Sequence, residues 1–121
     1  MILLKKSTLA GIWLCCLIGG ELLAQDQHTM NRQAEANFEK ADAELNKTYR
    51  RFLADLKDPE AQAKLKAAQR AWIAFRDAQA EFEADQDARG GSMYPMLFYA
   101  NCADLTRERI KQLRGSTKDS R

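Results

Sequence analysis

Few residues in this chain can do chemistry, and their spacing assembles no reaction centre. His28 is the sole histidine of the 121 residues, so a Ser-His-Asp or Cys-His arrangement has no base in the body of the chain. A zinc site needs several His or Cys ligands, and Cys102 stands far from His28. Gly90-Gly91 lacks the lysine and spacing of a phosphate loop. Carboxylates are plentiful and a pair can cleave a glycoside, but helical spacing brings such pairs together by chance. The expectation is no enzyme, no metal and no cofactor.

Three other groups could bind a partner. Glu81, Glu83, Asp85 and Asp87 recur at every second position, which a helix spreads over several faces. They read either as a solvated helix end or as an acidic rim that steers a basic partner inward. Arg70, Arg76 and Asp77 either lay their stems on apolar surface and pair with neighbouring helices, or brace the loop that follows. That loop, Gly90-Gly91-Ser92-Met93-Tyr94-Pro95, is either a plain connector or a contact surface held on rigid helices. The partner-binding candidates are therefore Ser92, Met93 and Tyr94 with Glu83 and Asp87.

Helices must position these groups. Met30, Ala34, Phe38, Ala41, Leu45, Tyr49, Phe52 and Leu56 form one stripe of 3- and 4-residue steps, a long amphipathic helix that Thr29 or Asn31 could cap. Asp58-Pro59-Glu60 reads as a stop and a restart: Asp58 caps, Pro59 suits the first helical position and Glu60 complements the positive helix end. A second stripe, Ala61, Leu65, Ala68, Trp72, Phe75, Gln79 and Phe82, predicts an αα-hairpin with the first two helices packed along their length. Trp72 and Phe75 are placed at its core, with Arg70 and Asp77 opposite. Tyr99, Ala103, Thr106, Ile110 and Leu113 mark a shorter third helix after Pro95. No alternating strand pattern competes. The fold expected is an all-α, small antiparallel bundle of two long helices and a third.

The ends differ from the body. Lys5 and Lys6 precede an apolar run from Leu9 to Ile18, and Ala24 follows, the layout of a signal peptide over 1–24. The run has roughly half the 20 residues a membrane span needs, so no stable span is expected after cleavage, and Leu14 before Cys15 and Cys16 argues against lipidation. A helical domain over 25–114 and a flexible tail over 115–121 complete the expected organisation. Without Lys5, Lys6 and Glu21 the chain keeps 17 basic and 16 acidic residues, a net charge of +1. That balance excludes the basic stripe of a nucleic-acid binder. Cys102 would then be the one thiol left, a small buried hydrophobe or an intermolecular bridge.

Met30-Asn31, Ala41-Asp42-Ala43-Glu44-Leu45-Asn46 with Tyr49, and Ala68-Gln69-Arg70-Ala71-Trp72 with Arg76-Asp77 occur together here. Gly91-Ser92-Met93-Tyr94-Pro95 and Cys102, with Leu105-Thr106 and Arg109, complete the set. In this combination the chain resembles the LprI-type lysozyme inhibitor domain, a small exported bacterial helical domain, over nearly all of residues 25–121. The resemblance also implies further cysteines at Gln33 and Ala80, both absent here. It implies a periplasmic or secreted protein that would block a basic glycan hydrolase, with lysozyme as the partner, through the loop between helices two and three. The alternative is a periplasmic interaction module without inhibitory activity. Neither reading fixes the oligomeric state.

Overall fold

The computed structural model describes the backbone of residues 12–119 and the side chains of 20–116. It contains α1 (Ile12–Asp55), α2 (Pro59–Ala88) and α3 (Tyr94–Asp119), with no strand among the described residues. The chain is all-α, as its periodicity predicts. Most of the expected signal peptide lies outside the described side chains. No helix among the described residues is long and apolar enough to cross a membrane.

The punctuation at Asp58 works as read. Its carboxylate accepts from the Glu60 backbone N–H at 3.0 Å, with Pro59 in the first turn. That satisfies one of the donors a helix start leaves bare. Gln62 secures the same corner from the other side, its Nε2 donating to the Leu56 carbonyl at 2.8 Å. The start of α1 differs from expectation. Thr29 and Asn31 lie inside the helix rather than capping it, because nothing between Ile12 and Asp55 breaks it. At the other end α3 stays helical past Gly115 to Asp119.

The packing order also differs. Instead of α1 and α2 packing along their length, α3 lies along both of them, and they approach each other far less. The reason is side-chain size. Cys102, Ala103 and Thr106 on α3 and Ala80 and Ala84 on α2 are all buried. Small residues on both surfaces let two backbones come close, and the α1–α2 gap is left to be spanned by a long side chain. The apolar core lies toward the Asp58 turn, where Leu45, Ile110 and Leu113 are buried under Tyr49, Phe52, Leu65 and Trp72.

The stripes of α1 and α3 hold, except that Met30 is exposed. The stripe of α2 is corrected by about a third of a turn. Its inner face carries Leu65, Gln69, Trp72, Arg76 and Ala80, while Ala68, Phe75 and Phe82 face outward. Phe75 is thus not part of the core. Trp72 is half-buried, so Trp72→Ala should cost about 2–3 kcal/mol, below the 3–5 typical of a fully buried indole. Asp58→Ala should cost about 1 kcal/mol through the lost cap. Both costs can be read from urea unfolding followed by circular dichroism.

Candidate partner-binding loop

The loop is built from both sides. Ala88 ends α2, and Gly90 turns the chain with φ of +69°, the left-handed region in which glycine carries no Cβ penalty. Gly91 N–H donates to the Ala88 carbonyl at 2.9 Å, Tyr94 N–H to the Gly91 carbonyl at 3.2 Å and Leu97 N–H to the Met93 carbonyl at 3.1 Å. One contact ties this turn to a distant element. Asn31 on α1 donates from Nδ2 to the Ser92 carbonyl at 3.1 Å, while Gln27 Nε2 donates to Asn31 Oδ1 at 2.9 Å and orients the amide. Ser92 and Met93 project outward from a backbone held at both ends.

The sequence-predicted residues come together unevenly. Ser92, Met93 and Tyr94 share the turn. Tyr94 is half-buried and stacks on Phe98, with ring centroids 6.3 Å apart. Its phenol pKa is raised, first by desolvation and then by the Glu81 and Asp85 carboxylates. Those two acids, rather than Glu83 and Asp87, are the ones that act on the loop tyrosine. Glu83 is half-buried and accepts from Gln79 Nε2 at 2.8 Å, whereas Asp87 is exposed. The every-second spacing divides the acids as a helix must.

Beneath the loop, aromatic rings continue the support. Phe98 meets Tyr99 edge-on at 5.3 Å, and Tyr99 stacks on Phe38 of α1 at 6.0 Å. The Tyr99 hydroxyl donates to Glu35 Oε1 at 3.2 Å. Burial, followed by the charge and hydrogen bond of Glu35, raises its pKa. Next comes Arg76, whose guanidinium lies 4.9 Å from the Phe38 ring centre and 5.4 Å from that of Trp72. It donates through Nη1 to Asp42 of α1 at 2.9 Å and through Nε to Asp77 at 2.8 Å. Burial opposes its charge, but Asp77 and then Asp42 outweigh that, and its pKa stands above the ordinary arginine value. Arg109 of α3 also approaches the Trp72 ring, at 5.8 Å from its centre, and donates to Gln69 Oε1 at 3.0 Å.

The pairing reading of Arg76 and Asp77 therefore matches the contacts, and Arg70 stays outside them, exposed on α2. Sequence reasoning missed Asn31 as the loop's anchor and Gln69 and Arg76 as inward residues. The spacing 65, 69, 72, 76, 80 carried the signal, but ranking residues by polarity hid it. Cys102 is buried and unpaired, which bears out the small-hydrophobe reading. Burial pushes its thiol up to about 11 from 9.0, with Arg76 pulling down and Asp77 and Asp42 pushing up. No group of His, Cys, Asp and Glu among the described residues could hold a metal ion.

Arg76→Ala should cost about 1–3 kcal/mol, through lost packing, two charge-assisted hydrogen bonds and two ring contacts, while the carboxylates it leaves behind stay partly solvated. Arg76→Lys should recover part of the loss, because an ammonium keeps the charge without the planar fork. Chemical denaturation measures both. In the native protein Cys102 should resist a thiol reagent at about pH 8 and react on unfolding. The folded state also holds a thiol proton that the unfolded state releases, so stability should fall as pH rises from 9.0 to about 11. Denaturant midpoints across that range, compared with Cys102→Ala, isolate this contribution.

Residues 22–113 match the family model described as lysozyme inhibitor LprI. An uncharacterized protein of Rhizobium meliloti (strain 1021), R02472, is 45% identical over 103 residues, covering 75% of this chain and 73% of the relative. No solved structure matches. With that match spanning α2, the anchored loop and almost all of the bundle, the chain belongs to the LprI lysozyme inhibitor family.

Proposed function

We propose that this protein is an exported inhibitor that blocks a basic glycan hydrolase, with lysozyme as its target, through the loop between α2 and α3. The family supports the inhibitor class. The observation that carries the choice of surface is the bond from Asn31 to the Ser92 carbonyl. It pins an exposed turn to a helix far away in sequence, so docking spends little on ordering the loop. Ser92 and Met93 supply the protruding contact, and Tyr94 offers a phenol at the rim. Glu81, Glu83, Asp85 and Asp87 make the end of α2 negative beside it, which favours encounter with a basic cleft. Export rests on Lys5, Lys6 and the apolar run up to Ile18, with processing after Ala24.

The second reading, an envelope interaction module without inhibitory activity, uses the same surface. Titration of lysozyme with the purified protein separates the two. Stoichiometric loss of turnover is expected, weakened by Tyr94→Ala and by Ser92→Arg. Asn31→Ala should weaken inhibition several-fold while lowering the melting temperature by about 4 °C at most, since the bond is solvent-accessible and worth about 1 kcal/mol at most. Added salt should slow association. Undiminished lysozyme activity at large molar excess would remove the inhibitor reading, and recovery of a non-hydrolase envelope protein on immobilised protein would favour the module.

A further inference from the structure

The outer face of α2 is apolar and unpartnered. Phe75 is 54% exposed and Phe82 59% exposed, one heptad apart on a surface otherwise made of exposed alanines: Ala67, Ala68, Ala71, Ala74 and Ala78. The face is bounded by two charge pairs along the helix, Glu60–Lys64 at 2.8 Å and Asp85–Arg89 at 3.3 Å. Their order is what identifies an occupant. Read along the helix the signs run minus, plus, then minus, plus, so the face is complementary to itself when reversed.

We infer that α2 docks on α2 of a second copy of this chain, antiparallel, about a two-fold axis crossing between Ala74 and Phe75. That register is fixed by the sequence. It brings Lys64 to the level of Asp85 of the second copy and Glu60 to the level of Arg89, each twice by symmetry. The same axis sets Ala71 at the level of Ala78 of the second copy and Phe82 at that of Ala67, so each large ring meets a small residue and the helices can approach closely. A parallel pairing would place Phe82 on Phe82 and like charge on like charge at both ends. A two-fold contact of this kind uses one patch on both partners. The opposite face of α2, which carries Arg76, is already covered by α3, so pairing requires no rearrangement of the bundle. The loop of Ser92 and Met93 lies beyond the end of the paired surface, and each dimer would present two such loops.

The test is sedimentation equilibrium across a concentration series on the protein in the form the cell produces, its N terminus identified by mass spectrometry. Wild type should pass from monomer to dimer mass as concentration rises. Phe75→Asp should weaken association by about tenfold or more. Lys64→Glu alone and Asp85→Lys alone should each stay monomeric, facing like charge across the axis. An equimolar mixture of those two variants should regain dimer mass, because each chain then meets its opposite. Unchanged helical circular dichroism in all three variants keeps folding out of the comparison; Phe75 and Lys64 are exposed and Asp85 is half-buried. Monomer mass for wild type at the highest concentration would overturn the inference. So would a dimer indifferent to Phe75→Asp, or a mixture that remains monomeric.

Discussion

The bundle depends on one cation held between rings. Arg76 sits on the inner face of α2 with only 7% of its side chain exposed, bonded to Asp42 of α1 and to its neighbour Asp77. An arginine that buried is tolerable only when its charge is matched and its donors are used. Here two carboxylates match the charge and take a donor each from Nε and Nη1, and the faces of Phe38 and Trp72 supply further attraction. Asp42 and Asp77 are themselves partly solvated, so the desolvation falls mainly on the guanidinium, which is the more weakly hydrated type of cation.

This arrangement explains why the helices pack in the order they do. α3 packs most extensively on α1 and also against the small side chains of α2, and the space left between α1 and α2 is wide enough for an extended arginine. Arg76 closes that space with directional bonds, which fix the rotation of α2 about its own axis. That rotation in turn decides what faces outward. Phe75 is left on the surface, and Glu81 and Asp85 are aimed toward the Tyr94 end. A leucine at the same position could fill volume but would not select one rotation over its neighbours. Cys102 is packed as an apolar residue. Among the described residues, polar specificity and close packing hold the helices together.

The loop inherits its stiffness from the same stack. Arg76 lies over Phe38, Phe38 stacks on Tyr99, Tyr99 meets Phe98 edge-on, and Phe98 stacks on Tyr94. Asn31 adds the one direct bond from α1 to the turn. A turn held in this way has its conformational cost met on folding.

Much of this was legible in the residues. The Asp58-Pro59-Glu60 restart, the glycine turn, the apolar stripe of α3 and the burial of Cys102 all follow from local preference and periodicity, which act within a few residues and leave their mark in the chain. The family resemblance was also legible in the Ala-Gln-Arg-Ala-Trp and Arg-Asp segments. The rotation of α2 was not. Two faces of that helix compete, one with Phe75 and Phe82 and one with Gln69 and Arg76, and hydrophobicity alone favours the wrong one. Only the tertiary structure supplies Asp42 and Phe38 from α1 and Arg109 from α3, the partners that make a polar face the buried one. A residue's own chemistry sets the cost of burying it, and the groups that offset that cost arrive from elsewhere in the chain.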